Sequence, residues 1–470
     1  MTPYDYVPKA PAKVFGNIFA PFDLAAGNWK QALDGTWYIN GGLLSSTSFL
    51  AAPGYGKTEL LIRTNNIYMM RYCPRCMWYD SETTLFPERL QDDVIRLPEY
   101  AGQILFDEYE PLVFHTDKTT DGGAWFDGAR EYAKYRCGLP KNGGEKFVTT
   151  PFPDASGNLI KQRRHMNVVL DSISYFEDEN LIAAYEKANV GDSETNTHDM
   201  NRGKSQASLI RQIPVLTARY DVNFLTAQHV VQELKMGKFV KDGKQLAVLR
   251  SGEKLKGGGQ AAAQLIVNIW YVQSLEYLFN PGTKQPLYPE SGIVYQDGYQ
   301  GQRKLMITNG RGKNGLGEGF RFPIVYENGG GIKQGLSQYE LLLMYKRYGL
   351  TGEKGATRFA MELLPDVQLM RTTIHSLSES NLLLVQALEI TVELLLTDLA
   401  GTHKEIMCSP AELYKDLVEQ GYSWEKLLDS RYYWLYDEDV TSTTKPVMNA
   451  LCLLHLRKGT YTPGADWAKK

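Results

Sequence analysis

From about residue 36 to residue 350, short apolar or β-branched runs alternate with stretches whose apolar residues recur at helical spacing. The strand candidates are Ser48–Ala52, Cys76–Asp80, Met166–Asp171, Val222–Thr226, Leu265–Val272 and Lys304–Thr308. Apolar strands separated by helices suit a parallel sheet covered on both faces, since neither face meets water. The pattern predicts an α/β core, a mostly parallel twisted sheet with helices on both sides.

Two stretches break the alternation. Residues 116–165 carry the turn-forming clusters TTDGG, KNGG and PDASGN, with a hairpin predicted around Phe147–Leu159, and read as an insertion. Residues 230–260 are polar and rich in Gly and Lys. Residues 351–470 turn helical, with Leu382–Leu399 and Pro410–Glu419 as the clearest helices, and predict a small C-terminal helical domain. Gln386, Glu389, Glu393 and Asp398 interrupt the first of these, which makes it a buried amphipathic helix and not a membrane span. Residues 1–35, rich in Pro, Ala and aromatics, predict an extended arm docked on a neighbouring protomer or on its own core.

Composition narrows the class. Of 470 residues, 43% are hydrophobic and 22% charged, enough to bury a core without a disulfide or metal staple. The five cysteines (Cys73, Cys76, Cys137, Cys408 and Cys452) are too sparse for a disulfide framework, so a reducing cytoplasm is expected. The N-terminal MTPYDYVPKAPAKVF lacks a basic start followed by an apolar run, and no signal peptide is expected. A net charge of −3 excludes a uniformly basic protein, so any nucleic-acid surface must be local. Cys73 and Cys76 supply two ligands where structural zinc takes four, and no zinc site is expected.

The sharpest chemical signal is A-A-P-G-Y-G-K-T at 51–58, between the run SFL and the helical ELLIRTNNIYMM. Small residues let backbone N–H groups close around phosphates at a helix N-terminus, with Pro53, Gly54, Tyr55 and Gly56 forming the loop. Lys57 would reach the β/γ-phosphates of ATP, and the Thr58 hydroxyl would ligate Mg²⁺. Ala51 stands where the usual pattern has its first glycine.

Three further strand ends join it. N-V-V-L-D-S at 167–172 ends a strand in Asp171; alone this reads as a capped strand end, and beside a phosphate loop as an Mg²⁺ ligand. M-W-Y-D-S-E at 77–82 brings Asp80 and Glu82 to the same edge, with Glu82 the candidate to orient an attacking water. F-L-T-A-Q-H at 224–229 ends in Gln228 and His229, either a γ-phosphate sensor or a pair of satisfied polar groups. Beyond the sensor, Lys235, Lys238, Lys241, Lys244, Arg250, Lys254 and Lys256 outnumber Glu233, Asp242 and Glu253. That local excess suits a loop ordering on a nucleic-acid backbone, and equally a solvated loop.

These segments, in this order, resemble the RecA-type recombinases, and most of all those of T4-like phages. W-Y-D-S-E-T-T-L is similar to the family's strand ending in an acid–small–Glu. D-M-N-R-G-K-S-Q-A-S-L-I-R at 199–211 is similar to the helix after its first DNA loop, and G-G-G-Q-A at 257–261 to the glycines closing its second. The resemblance spans roughly residues 40–350. It implies a RecA-type ATPase core in which Lys57 and Thr58 hold phosphate and Mg²⁺, Asp171 is the metal-side acid, Glu82 the catalytic carboxylate and His229 the γ-phosphate sensor. It also places ATP between protomers of a helical filament, reached in trans by a basic pair. In T-N-G-R-G-K at 308–313, Arg311 keeps one of those positions and Asn309 replaces the other cation, with Lys313 as the alternative. Phe86 and Arg89 occupy the stretch that sandwiches adenine. Arg202, Lys204 and Arg211 fall at or beyond the end of the first loop, about 176–204, as phosphate contacts.

The implied function is a DNA-dependent ATPase that forms filaments on single-stranded DNA and pairs it with homologous duplex DNA. A single-strand-binding protein and a mediator are the implied partners, and no membrane is involved. Two alternatives stand beside it: a ring helicase on the same core, and a nucleotide-binding filament scaffold with little hydrolysis.

Overall fold

The computed structural model describes residues 28–31, 37–40, 46–72, 75–85, 113–116, 121–138, 147–153, 159–163, 166–187, 195–220, 222–232, 245–296, 298–312, 316–352, 357–401, 403–431, 435, 437–459 and 467–469. Phe86, Arg89, Lys235, Lys238, Lys241, Lys244, Lys313 and Cys73 lie outside them, as do residues 1–27.

Every residue of Ser46–Ala51 and of Met166–Asp171 is buried, which is why these strands read as unbroken apolar or small-residue runs. They belong to a ten-stranded sheet. Its order is Gly331–Ile332, Arg321–Glu327, Gln302–Arg311, Asn268–Tyr277, Ser46–Ala51, Val222–Gln232, Met166–Asp171, Arg75–Asp80 and Val113–Thr116. Glu253–Lys256 folds back antiparallel on Val222–Gln232. From Asn268–Tyr277 to Val113–Thr116 all neighbours are parallel. The strands on the far side of Asn268–Tyr277 pair antiparallel.

Alternate residues along each strand feed two separate cores, as the two-residue period requires. Phe49, Ala51, Trp78, Val169 and Leu225 enter one cluster; Leu50, Tyr79, Val168, Leu170 and Phe224 enter the other. Helix Lys57–Tyr72 covers the first face through Leu60, Leu61, Ile62 and Tyr68. Helices Gly122–Gly138, Thr195–Tyr220 and Gly259–Leu265 cover the second, with Trp125, Phe126, Ile210 and Ala262 among the contacts. The protein is therefore α/β, with helices on both faces of one large sheet.

The first cluster runs on without a break into the C-terminal region. That region holds more than helices: Leu350–Thr351, Arg358–Met361 and Leu364–Met370 form a three-stranded sheet that the periodicity did not announce. Helix Leu382–Ala400 starts at Asn381, whose side chain accepts from Leu384 N, and stops at Gly401 with φ +64°. It is buried nearly all round, not on one stripe as its polar residues suggested. Those polar residues have partners: Gln386 donates to Met448 O at 2.6 Å, and Glu393 accepts from Ala450 N at 2.7 Å. Pro410–Glu419 begins with a capping box of Ser409 and Glu412. Among the described residues no helix is long and apolar enough to cross a membrane.

The 116–165 insertion contains the expected hairpin, Phe147–Pro153 against Leu159–Arg163. It joins a four-stranded sheet with Asn28–Gln31 and Trp37–Asn40, so the end of the N-terminal arm pairs within its own chain. Asp437 ties this sheet to the C-terminal region, accepting from Thr149 N at 2.7 Å and Lys161 Nζ at 3.1 Å.

A charged knot fastens the antiparallel edge to helix Ile374–Ser380. The fully buried His375 lies 3.6 Å from Glu379 and 3.7 Å from Glu327. Burial disfavours its imidazolium, and Lys333, paired with Glu379 at 2.6 Å, opposes it too; the two carboxylates outweigh both and raise the His375 pKa above the ordinary 6.5. A raised folded-state pKa stabilises below the unfolded value, and this contribution is lost as pH rises through the folded one. His375→Gln should therefore lower stability more at about pH 6 than at about pH 9, as read by denaturant unfolding at both. Equal losses would mean the ion pairs contribute nothing.

Candidate active site

The carboxyl ends of four neighbouring strands converge on one edge. Strand Ser46–Ala51 runs into the loop 52–56, where Gly54 and Gly56 take φ +79° and +71°, conformations that L side chains rarely adopt. A Cβ at Gly56 would stand 3.2 Å from Leu305 Cδ1, a tight contact with the end of a side chain, so it is the positive φ that favours glycine there. Helix Lys57–Tyr72 follows directly, which aims its first backbone N–H groups at the loop.

Lys57 is 7% exposed; its ammonium donates to Ala52 O at 3.1 Å and lies 3.5 Å from His229 Nδ1. Burial lowers its pKa, while Glu82 and Asp171 pull the other way. The Thr58 hydroxyl donates to Asp171 Oδ2 at 2.7 Å. Asp171 is fully buried, and burial pushes its carboxyl up to about 7, against the Thr58 bond. A hydroxyl and a carboxylate side by side are hard oxygen donors, the set that Mg²⁺ takes together with phosphate oxygens. Among the described residues no cluster of three His, Cys, Asp or Glu groups stands ready to hold a metal ion without such help.

Glu82 sits beyond strand Arg75–Asp80, and Asp80 sets its position. The wholly buried Asp80 carboxylate accepts from Glu82 N at 3.0 Å, Thr84 N at 2.8 Å and Leu85 N at 2.7 Å, fixing the turn. Asp80 is thus an anchor and not a second reactive acid. Ser81 clips the turn to the next strand: its N donates to Asp171 O at 2.8 Å and its Oγ to Ser172 O at 2.9 Å. Glu82 Oε1 accepts from Ser172 Oγ at 2.9 Å and meets His229 Nε2 at 2.8 Å. The His229 bond is the main cause that holds the Glu82 carboxyl below its ordinary range. A carboxylate only accepts, so Nε2 carries the proton and Nδ1 faces the Lys57 ammonium as acceptor. Glu82, His229 and Lys57 form one chain.

The cleft has a volume of about 260 Å³ and is lined by Pro53, Gly54, Gly56, Lys57, Thr58, Glu59, Glu82, Asp171 and His229. Leu275, Arg303, Leu305 and Tyr326, which sequence reasoning missed, complete it. Arg303 and Tyr326 face each other across neighbouring antiparallel strands, and Arg303 and Leu305 are two residues apart on one face. That spacing was the available signal; nothing in the chain order said these strands return to the loop. A larger cavity, about 1120 Å³, lies between the 327–335 turn and helix Leu382–Ala400. None of the 52–58 residues lines it.

Other expected residues lie outside this cleft. Gln228 is fully buried and not among the residues lining the cleft; neighbours on a strand point to opposite faces, and His229 takes the cleft side. Arg311 donates to Ala263 O at 2.7 Å and Gln264 O at 2.6 Å, which anchors it to the end of helix Gly259–Leu265, and it does not line its own chain's cleft. Asn309 is buried and donates to Leu316 O at 2.9 Å and Gly317 O at 3.1 Å, which holds the turn. Arg202 pairs with Glu177 at 3.7 Å, while Lys204 and Arg211 are exposed. Arg250 is exposed at its residue but bonds Gln273 O at 2.6 Å. Cys76 is buried, bonded to Asn65 Oδ1 at 3.5 Å, and its thiol is pushed up to about 12, which leaves it unreactive.

Compared with known proteins, the chain matches no family model and no curated sequence.

If Asp80 anchors the turn, Asp80→Ala leaves three N–H groups, the buried Leu85 N among them, without their acceptor and should cost about 2 kcal/mol or more in denaturant unfolding. A loss within about 0.5 kcal/mol would show that the turn holds without it.

Proposed function

We propose that this chain is a DNA-dependent ATPase of RecA type that polymerises on single-stranded DNA and promotes pairing with homologous duplex. The observation that carries the reading is the Lys57–His229–Glu82 chain, standing beside the Thr58–Asp171 pair on one sheet edge. A phosphate-binding loop, a candidate metal pair and an oriented carboxylate are the parts that phosphoryl transfer to water requires.

In this reading Lys57 and the loop amides bind the β- and γ-phosphates, and Thr58 and Asp171 hold Mg²⁺, which supplies charge neutralisation at the phosphates. Glu82 uses Oε1 to hold His229 and Ser172, and Oε2 orients the attacking water. His229, between Lys57 and Glu82, meets the γ-phosphate. The DNA part of the reading rests on chain path: strand Val222–Gln232 leaves the site at His229, passes into the basic 233–244 stretch, and returns as Glu253–Lys256. Lys204 and Arg211 are exposed cations that phosphate can reach, and Lys254 and Lys256 lie on the returning strand.

The test is ATP turnover with and without single-stranded DNA for wild type, Lys57→Ala and Glu82→Gln. DNA-stimulated turnover should fall by about a hundredfold or more in Glu82→Gln and vanish in Lys57→Ala. Duplex unwinding without pairing would favour the ring helicase, and filaments without turnover the scaffold. Absence of ATP binding would sink all three.

A further inference from the structure

Both segments that flank the proposed DNA surface leave from one buried junction. Ser174 lies just past Asp171 and is fully buried. Its hydroxyl accepts from His229 N at 2.9 Å and donates to Lys256 O at 2.7 Å. Gln206, on helix Thr195–Tyr220 and 2% exposed, closes the ring from the other side. Its Nε2 donates to Ser174 O at 3.1 Å and Phe176 O at 3.4 Å, and its Oε1 accepts from Gly258 N at 3.3 Å. Two carbonyl partners and one N–H partner leave a single orientation for the amide.

The backbone around this ring has no slack. A Cβ at Gly257 would stand 2.9 Å from Ser174 Cα, and one at Gly258 2.1 Å from Ile210 Cδ1. The Tyr175 ring packs edge-on to His229 with centroids 5.4 Å apart, and Lys256 Nζ sits 4.0 Å from the Tyr175 centroid. The start of the 176–204 segment, the close of the 230–260 segment and the backbone of His229 are therefore pinned to one another by two side chains.

We propose that Gln206 and Ser174 form a brace that makes the two segments respond as one unit to the nucleotide at His229, with Gln206 as a positioning residue that touches neither nucleotide nor DNA. This rests on the ATPase reading given above. The His229 backbone cannot shift without moving Ser174, and Ser174 cannot shift without moving Lys256, Gly258 and Phe176. Buried hydrogen-bonded rings of this kind exchange between discrete arrangements and do not deform smoothly, because each broken bond leaves a buried group unpaired. Without Gln206 the two segments keep the Ser174 hydroxyl between them and lose the other half of the brace.

The test compares wild type with Gln206→Ala and Gln206→Glu. Glutamate keeps the size and can still accept from Gly258 N, but it faces the two carbonyls as an acceptor and loses both donated bonds. Hydrogen exchange is followed over residues 173–176 and 253–258, without ligand and with a non-hydrolysable ATP analogue and Mg²⁺. ATP turnover is followed with and without oligothymidylate. In wild type the two segments should be protected together, and oligothymidylate should stimulate turnover. In both variants 253–258 should exchange several-fold faster without ligand, and the stimulation ratio should fall towards one. Gln206→Glu behaving as wild type in exchange and in ratio would overturn the brace and leave Gln206 as packing alone. A wild type indifferent to oligothymidylate would instead overturn the DNA-dependent reading, while the ligand-free exchange would still decide for or against the brace.

Discussion

The order of four strands decides what this molecule can do. Ser46–Ala51, Val222–Gln232, Met166–Asp171 and Arg75–Asp80 lie side by side and parallel, so all four carboxyl ends open on the same edge. The glycine loop 52–56 leaves the first, His229 the second, Asp171 the third and Glu82 the fourth. His229 bridges Lys57 and Glu82 because its strand lies between theirs. A different order would leave the same residues in the chain and no chain of contacts between them.

Parallel register also sets the electrostatics. Lys57, Glu82 and Asp171 share a small buried volume, and Asp80 stands close by. Burying charges is unfavourable unless each finds a partner. Asp80 is met by three backbone N–H groups, Glu82 by His229 and Ser172, and Lys57 by Ala52 O. Asp171 is the least well compensated: it has the Thr58 hydroxyl, and its carboxyl stays raised to about 7. A site built this way favours added positive charge beside Asp171 and added negative charge beside Lys57. A divalent cation carrying a polyphosphate brings both at once.

The sequence was most informative where one residue type can do one job. Gly54, Gly56, Lys57 and Thr58 were expected together and line one cleft, the two glycines with the positive φ that favours this residue. Met166–Asp171 was read to its boundaries because every residue in it is buried, so the apolar run and the strand coincide. Boundaries failed where polar residues continue a strand, as in Val222–Gln232, which runs past Thr226 through Gln228 and His229. The three-stranded sheet at 350–370 was missed because its strands are short and half-exposed, with no clean alternation. Arg303 and Tyr326 were illegible for another reason: they reach the loop through antiparallel strands more than 200 residues downstream of it in the chain. The division of labour between Gln228 and His229 needed the sheet, since only the face of the strand separates them.

The size of the cleft bears on assembly. At about 260 Å³ it falls below the roughly 300–1,000 Å³ typical of pockets that enclose a small ligand. Its walls include the 53–56 loop, Lys57, Thr58, Asp171 and, from the antiparallel side, Arg303. Tyr326 supplies the one aromatic wall among these residues. Under the proposed reading, the base and sugar are covered by groups other than these described residues. Arg311, tied to the carbonyls of helix Gly259–Leu265, is too committed to swing into its own cleft without giving up both bonds. Held in place, it presents a fixed cation to whatever packs against that helix end. A rigid donor offered to a neighbour loses less freedom on contact than a mobile one. If a second protomer completes the nucleotide site, the tethered Arg311 serves that role better than a free arginine would.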